Sequence, residues 1–252
     1  MRYFVQLSYD GTDYHGWQVQ KNAHSVQEEF EKALSVICRE QTEVVGAGRT
    51  DTGVHASLYM AHFDSLLEFP DHEKTVFKLN CLLPEDIAVH QIFKVRPDAH
   101  ARFDATYREY KYYISRLKDP FTVKYADKEN RQLDLDKMNE AAKTLFDYTD
   151  FTSFSKLGSD AKTNNCVIYK AFWEEKEGQY IFTIRADRFL RNMVRAIVGT
   201  LLEVGLGKKT IDEFRRVIDQ KDRSSAGASV SAKGLFLVDI GYPDNIKLED
   251  QV

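Results

Sequence analysis

The segment Gly48-Arg49-Thr50-Asp51-Thr52-Gly53-Val54-His55-Ala56 is polar and lies between two apolar stretches, 44–47 and 58–63. One glycine begins the segment and a second lies within it. Glycine permits backbone conformations that other residues avoid, so the segment predicts a tight loop that a substrate can approach closely. The apolar stretches predict strands on either side of it. We therefore expect a fold that presents this polar loop between two strands.

Asp51 stands at the centre of the loop, and its residue type alone leaves several roles open. An aspartate in a loop can be a turn residue, a helix cap, a metal ligand or a catalytic carboxylate, and by propensity the turn role is the most common. A metal site is disfavoured because the loop has no second acid at ligand spacing and only His55 nearby. A phosphate-binding P-loop is excluded because the Gly-Lys-Ser/Thr ending is missing.

Strand and helix patterns continue on both sides of the loop. Residues 3–9 alternate with period two and predict a strand. Ser25 and Glu28 have the spacing of a capping box, which predicts a helix over residues 26–39. Further along the chain, a short helix is predicted at 76–82 and strands at 87–95 and 107–115.

The second half contains the same kinds of element. A helix follows Asp134, and another follows Thr210 as its cap. Further predictions are a hairpin of strands 167–173 and 180–186 around Lys176-Glu177-Gly178, an apolar helix at 190–204 and a final strand at 235–242. Antiparallel strand sets with helices between them indicate an α+β fold. We divide the chain into residues 1–104 and 105–252, with the seam near 102–106, and find no repeat at a fixed period.

Composition places limits on the class of protein. The chain has 252 residues, 43% of them hydrophobic, which is ample for a core. The three cysteines are widely spaced and form neither a disulfide framework nor a zinc knuckle. No apolar run approaches the roughly 18–20 residues of a membrane span, and the N-terminus lacks the pattern of a signal peptide. We expect a globular cytoplasmic protein with no membrane association.

The charge is unevenly distributed along the chain. The net charge of -4 would by itself argue against a nucleic-acid partner. Residues 94–118 nevertheless carry seven basic against three acidic side chains, and residues 182–202 carry four against one. Residues 127–150 and 239–252 are acidic, and we expect the last five residues, 248–252, to fray. This alternation fits a protein with one basic face. It also fits ordinary solvated charge scattered over the surface.

Several blocks of the sequence resemble one known family, the TruA-type tRNA pseudouridine synthases. The loop around Asp51 is similar to the family's catalytic loop, Gly-Arg-Thr-Asp-X-Gly-Val-His-Ala, with Thr52 where alanine is frequent. The other similar blocks are Tyr9-Asp10-Gly11-Thr12, Gly16-Trp17-Gln18-Val19-Gln20, Ala101-Arg102-Phe103, residues 150–154, Phe189 with Met193-Val194-Arg195, and Gly234-Leu235. These blocks occur in order over some 240 residues, which makes the resemblance far more specific than a single motif.

The resemblance implies a fold and an activity. The fold would have two α/β halves with mainly antiparallel sheets flanking a central RNA-binding cleft. The activity would be isomerisation of uridine to pseudouridine at positions 38, 39 and/or 40 of the tRNA anticodon arm. Asp51 would be the nucleophile, acting on a base flipped out of its helix. The family works as a homodimer and needs no cofactor or metal, and we expect the same here.

Besides Asp51, three polar residues, Tyr110, Arg195 and Arg49, match site positions of the family. Tyr110 would stack on the flipped uracil, although tyrosines along 107–113 also suit a strand packed in a sheet. Arg195 would pair with Asp51, with Arg191 one turn earlier on the same side of the 190–204 helix; the alternative is a solvent-facing arginine. Arg49 would enter the RNA stack or contact phosphate, or else lie on the surface as an ordinary loop arginine.

Four other residues, Leu235, His55, Trp17 and Gln18, are assigned supporting roles. By resemblance Leu235 packs under the uracil, although a leucine in the core of a strand fits the pattern equally well. His55 is predicted to orient the loop by hydrogen bonding rather than to act as a base. Trp17 and Gln18 are predicted to be structural or RNA-contacting.

Two other functions remain to be weighed against the isomerase. A non-catalytic RNA-binding or RNA-chaperone protein need not retain Asp51, Tyr110 and Arg195 together. An acyl or phosphoryl carrier at Asp51 would lack the Mg²⁺ ligands and the phosphate-binding lysine that phosphoryl transfer uses. The sequence therefore favours the isomerase.

Overall fold

The computed structural model describes residues 1–156, 158 and 162–248, and in this part of the chain nine strands and five α-helices are mixed along the sequence. The strands are β1 (Arg2–Tyr9), β2 (Val44–Gly46), β3 (His55–Asp64), β4 (Ile87–Lys94), β5 (Tyr107–Ser115), β6 (Asp127–Lys128), β7 (Ile168–Lys176), β8 (Gln179–Ala186) and β9 (Leu235–Gly241). The helices are α1 (Val26–Cys38), α2 (His72–Leu82), α3 (Leu135–Lys143), α4 (Met193–Gly205) and α5 (Ile211–Asp219). The predicted α+β class is confirmed.

The chain divides into two compact units. The first comprises Met1–Thr106 together with the chain from Leu237 onward, and the second comprises Tyr107–Phe236. The sequence-based division was placed after residue 104 and assigned all of 105–252 to the second half. In the structure β9 begins in the second unit, and from Leu237 the chain belongs to the first. Of the tail expected to fray, residues 249–252 lie outside the described residues.

The strands of the first unit pair antiparallel. β1 pairs with β3 on one side and with β4 on the other, and β2 pairs with the end of β3. One face of β1 is fully buried and apolar, with Tyr3, Val5, Leu7 and Tyr9, whereas only Phe4 is buried on the other face. Because β1 is paired on both edges and buries one whole face, it makes a rigid base for the loops at its end.

The strands of the second unit also pair mainly antiparallel. β8 pairs antiparallel with β5 and with β7, and the short β6 pairs parallel with β5. The β7–β8 hairpin turns at Glu177 and Gly178, both with positive φ, as the sequence predicted. The helices α3 and α4 contribute fully buried side chains, including Met138 and Ile197, to the core of this unit.

One asparagine in each unit binds the backbone of the outermost strand. The side chain of Asn80 on α2 donates to the carbonyl of Val89 at 2.8 Å and accepts from its N–H at 2.7 Å. Asn139 on α3 makes the same pair of bonds to Trp173, at 3.0 and 2.7 Å. Both asparagines therefore satisfy peptide groups that face away from the neighbouring strand. The sequence shows no repeat, yet this local arrangement occurs twice.

The helix caps follow the predicted signals. The Ser25 side chain accepts from the N–H of Glu28 at the start of α1. Thr210 and Glu213 form a complete reciprocal capping box on α5. Both caps satisfy N–H groups that have no partner inside the helix, so these two helices begin where their caps predict.

Helix α4 departs from the prediction at its start. The sequence predicted a helix over 190–204, whereas α4 begins at Met193. Asn192 has φ +67°, a left-handed conformation that an α-helix interior excludes. Arg191 therefore precedes the helix, and the prediction that it lies one turn before Arg195 on the same helical face is wrong. In the described part of the chain, no helix combines the length and apolar character needed to cross a membrane.

Candidate active site

The polar loop between β2 and β3 is a compact turn. The N–H of Val54 donates to the carbonyl of Asp51 at 3.1 Å, which closes a turn around Thr52 and Gly53. The N–H of Ala47 donates to the carbonyl of Met60 at 2.8 Å, and the N–H of Gly53 donates to the carbonyl of Tyr14 at 3.2 Å. The turn interpretation of Asp51 is thus confirmed for its backbone, and hydrogen bonds tie the loop before and after this residue.

Thr50 binds residues 9–17, which we call the N-terminal segment, through its hydroxyl group. Its Oγ1 accepts from the backbone N–H of Trp17 at 3.1 Å and lies 3.0 Å from the hydroxyl of Tyr9. Trp17 is only 2% exposed, and its indole stacks on Tyr59 with centroids 4.1 Å apart. The Tyr59 hydroxyl in turn donates to the carbonyl of Gly48. Of the two roles predicted for Trp17, structural or RNA-contacting, its burial and stacking show the structural one. Thr50 holds the loop backbone against the N-terminal segment, which sequence reasoning did not identify.

Gly16 brings the N-terminal segment directly against the loop backbone. It has φ +87°, and a Cβ at this position would overlap the carbonyl oxygen of Thr50. Glycine is required here on two counts, since the positive φ and the close approach both disfavour a side chain. The block Gly16-Trp17 of the sequence therefore supports the residue that precedes Asp51.

His55 fastens the other end of the loop. Its side chain is fully buried, and Nδ1 lies 3.0 Å from the N–H of Gly11 and 2.9 Å from Oδ1 of Asp10. The same carboxylate oxygen of Asp10 accepts from the N–H and the hydroxyl of Thr12. The prediction that His55 orients the loop by hydrogen bonding is confirmed.

Asp51 and Arg49 differ in exposure. Asp51 is half-buried, whereas Arg49 is exposed. Both flank Thr50, so the contacts of Thr50 with Tyr9 and Trp17 hold the backbone of both residues. A carboxylate on a backbone held in this way can meet a substrate without first being ordered, which lowers the entropic cost of reaction.

Tyr110 lies on β5 in the second unit. It is half-buried, and its ring packs edge-on against Phe189 with centroids 5.2 Å apart. Tyr112 has a different environment, because it is fully buried and its hydroxyl lies 2.9 Å from the carbonyl of Ser231. Burial and the nearby carboxylate of Asp127 raise the pKa of Tyr112. Tyr112 is therefore a core residue, and Tyr110 keeps part of its ring accessible.

Arg195 lies in the first turn of α4. Its Nε donates to the carbonyl of Val230 at 2.7 Å, and the N–H of Val230 donates to the carbonyl of Arg195 at 3.2 Å. The positive end of the helix dipole disfavours a cation in this position. The segment after α5 thus orients the guanidinium by a bond to a carbonyl dipole. The pairing of Arg195 with Asp51 stays a prediction.

The predicted site residues divide between the two units. Arg49 and Asp51 share one loop of the first unit. Tyr110, Arg195 and Leu235 belong to the second, where Leu235 is 6% exposed at the start of β9. Among the described residues no group of three or more histidine, cysteine, aspartate or glutamate side chains is arranged to hold a metal ion.

Comparison with known proteins gives the family. The family model described as tRNA pseudouridine synthase matches residues 6–104 and 141–243. The tRNA pseudouridine synthase A of Bacteroides fragilis is 59% identical over 246 residues, which are 97% of this chain and 98% of that protein. The enzyme of the same name from Bacillus subtilis is 40% identical over 96% of this chain and 99% of its own length.

These matches span most of the chain and include the loop that carries Asp51. The chain therefore belongs to the tRNA pseudouridine synthase family, and it is an isomerase.

Proposed function

We propose that this protein isomerises uridine to pseudouridine at positions 38, 39 and/or 40 in the anticodon stem-loop of tRNA, with Asp51 as the nucleophile. The bond between ribose C1′ and uracil N1 breaks, the base rotates, and a bond forms between C1′ and C5. The hydrogen on C5 leaves as a proton and N1 gains one, so the reaction is balanced without a cofactor or a redox partner.

The loop geometry is the observation that carries the proposal. The backbone on both sides of Asp51 is held by buried or aromatic groups of the N-terminal segment, through Thr50 before it and His55 after it. Such pre-organisation is what a nucleophile needs and what a surface turn does not. The carboxylate has three routes: attack on the anomeric carbon, attack on the base, or removal of a proton from the sugar.

The remaining site residues take roles around the flipped base. A uridine paired in a stem is out of reach until it swings out of the helix. Tyr110 stacks on the uracil with the accessible part of its ring, and Leu235 packs beneath the base. Arg49 enters the space that the base leaves or contacts phosphate, and Arg195 pairs with Asp51. Identities of 40% and more to enzymes named tRNA pseudouridine synthase A support these assignments.

The biological setting follows from the substrate. The relatives are named for action on tRNA, and we propose tRNA as the partner of this chain in the cytoplasm. We further propose a homodimer in which one tRNA contacts both subunits. The basic stretches 94–118 and 182–202 support RNA binding by an otherwise acidic chain.

The decisive experiment replaces the carboxylate with an amide. Unmodified tRNA transcripts are incubated with wild-type protein and with the Asp51→Asn variant, and pseudouridine is located by its base-specific chemical adduct. Wild type should form pseudouridine, whereas Asp51→Asn should bind the tRNA with near wild-type affinity and form none, because an amide cannot replace a nucleophilic carboxylate. Transcripts with a single uridine at 38, 39 or 40 identify the positions.

A matched variant controls for loss of a negative charge. Asp212 is exposed in the first turn of α5, and Asp212→Asn should retain full activity. Product formation by Asp51→Asn at the wild-type rate would remove Asp51 from the reaction. Wild-type protein that leaves tRNA unmodified would overturn the proposed function as a whole.

A further inference from the structure

Phe103 is a large apolar side chain on the surface of the first unit. It is 74% exposed, although it belongs to the block Ala101-Arg102-Phe103, to which the proposed reaction assigns no role. Between residues 83 and 116, all of which the structure describes, it is the only exposed large apolar side chain. Because burial of a phenylalanine ring is normally favourable, the exposure of this ring requires an explanation.

Hydrogen bonds within residues 99–104 hold this turn, which we call the Phe103 turn. Nδ1 of His100 lies 3.1 Å from the N–H of Arg102 and 3.3 Å from the N–H of Phe103, and accepts from both. The carboxylate of Asp104 accepts from the N–H of His100 at 2.7 Å, and the N–H of Asp104 donates to the carbonyl of His100 at 3.0 Å. The exposed ring thus stands on an ordered backbone.

Three bonds anchor the Phe103 turn to β1, to β3 and to the residue that follows β9. The N–H of Ala101 donates to Nδ1 of His62 at 3.1 Å, and its carbonyl accepts from the hydroxyl of Tyr242 at 2.6 Å. The guanidinium of Arg2 donates to the carbonyl of Ala99 at 2.9 Å. Because folding already orders this backbone, a partner that binds here loses little further conformational entropy in the protein.

The groups around the exposed ring indicate the kind of partner. The imidazole of His100 lies with its centroid 4.2 Å from that of Phe103 at 37°, and the guanidinium carbon of Arg102 lies 5.7 Å from the Phe103 centroid. Unstacked bases of RNA bind aromatic rings and guanidinium groups by stacking, and Arg102 also offers a charge to phosphate. A stable protein interface needs roughly 800 Å² on each partner, and a lone ring beside a cation supplies little apolar area.

We propose that the Phe103 turn is a second RNA contact, separate from the Asp51 loop, in which Phe103 stacks on an unpaired base of the tRNA and Arg102 lies beside it. The proposal rests on tRNA being the substrate, as proposed above. Its contribution is to binding and not to the chemical step. Loss of the ring therefore raises KM and Kd for tRNA while the rate at saturation stays close to wild type.

The first test measures tRNA affinity and turnover for a set of substitutions. Phe103→Ala should raise the Kd for a tRNA transcript roughly 5- to 150-fold, the range expected for loss of one stacked base. Phe103→Tyr keeps the ring and should bind within about twofold of wild type, whereas Phe103→Leu keeps apolar area without a π face and should bind weakly. Phe77, 68% exposed on α2 of the same unit, gives the control variant Phe77→Ala, whose Kd should not change.

A spectroscopic test locates the contact directly. The two native tryptophans, Trp17 and Trp173, are 2% and 3% exposed, so acrylamide has little access to either. The indole introduced by F103W should be readily quenched by acrylamide in free protein and protected when tRNA is bound. The same substitution at the control position, F77W, should remain accessible in both states.

The outcomes separate this proposal from its alternatives. Wild-type affinity of Phe103→Ala, or wild-type affinity of Phe103→Leu, would overturn stacking on the ring. A change in sedimentation of Phe103→Ala without tRNA would assign the turn to contact with a second copy of the chain instead. If wild-type protein fails to modify tRNA, the proposed function fails; if wild type is active and Phe103→Ala binds normally, only the Phe103 contact fails.

Discussion

The hydroxyl of Thr50 and the imidazole of His55 act at the scale of single residues. Each binds a backbone N–H of the N-terminal segment, of Trp17 and Gly11 respectively. Neither group needs to touch a substrate for its loss to matter, because Asp51 lies between them in the chain. In the reaction proposed above, the position of the Asp51 carboxylate relative to C1′ and C5 decides the outcome, and these two bonds hold the backbone on either side of Asp51.

His62 provides a test of pH dependence at the residue scale. It is 4% exposed and accepts from the N–H of Ala101, and burial together with the charge of Arg2 lowers its pKa to about 4. The unfolded chain, with a histidine pKa near 6.5, binds more protons between pH 6.5 and pH 4. Stability should therefore fall on acidification through this window, by about 2 kcal/mol between pH 7.5 and pH 5.

Urea unfolding of wild type and variants at these two pH values checks the prediction. In the His62→Asn variant an amide oxygen can take the place of Nδ1 without titrating, so its stability should change less with pH. His90 is exposed, and His90→Gln should keep the wild-type pH dependence. Equal pH dependence of His62→Asn and wild type would show that another group titrates in this window.

At the scale of elements, the N-terminal segment and the Asp51 loop form one structure. The segment contributes Tyr9 from the end of β1, and Gly16 and Trp17 from the chain that leads to α1. Gly16 is the point of closest approach. A methyl group there would overlap the Thr50 carbonyl in addition to straining a positive φ.

Gly16→Ala should therefore reduce kcat/KM at least about tenfold, because the loop must move to admit the methyl group. It should also lower the free energy of unfolding by about 2 kcal/mol. Gly207 also has a positive φ, +69°, but open space around the added Cβ. Gly207→Ala should lose about 1 kcal/mol of stability and keep wild-type activity, so equal activity of the two variants would refute the close-contact explanation.

Local signals explain which elements the sequence predicted. Ser25 and Thr210 as caps, the Glu177-Gly178 turn and the alternation of β1 all depend on neighbouring residues, and all were predicted correctly. The start of α4 was missed because the left-handed Asn192 interrupts an apolar pattern that otherwise reads as helix.

Long-range contacts explain what the sequence did not predict at the site. The bond from the Trp17 N–H to Thr50 joins residues 33 positions apart, and no local pattern indicates it. The roles of Asp51, Tyr110 and Arg195 came from resemblance to a family and not from propensity. The Phe103 turn gave no signal beyond its block of matching residues, because exposure is a property of the folded chain.

At the scale of the whole molecule, charge is distributed in blocks along an acidic chain. A protein with net charge -4 must bind a polyanion through local concentrations of lysine and arginine. Arg191 is exposed within the basic stretch 182–202, whereas Lys143 is exposed within the acidic stretch 127–150.

The salt dependence of tRNA affinity tests this arrangement. The logarithm of the association constant should fall linearly with the logarithm of salt concentration, because each phosphate contact releases counterions. Arg191→Gln should reduce the steepness by about 0.7–0.9, the value for one phosphate, and Lys143→Gln should leave it unchanged. An affinity for tRNA that is insensitive to salt would contradict binding through a basic surface.

Asn80 and Asn139 have a consequence for how the protein behaves in a crowded solution. An open strand edge is a template on which another polypeptide can dock in extended form and start a fibrous aggregate. Each asparagine already occupies both the backbone donor and the backbone acceptor of one residue, Val89 or Trp173. A foreign strand would have to displace the amide before it could extend the sheet at these two positions, both of which lie outside the Asp51 loop.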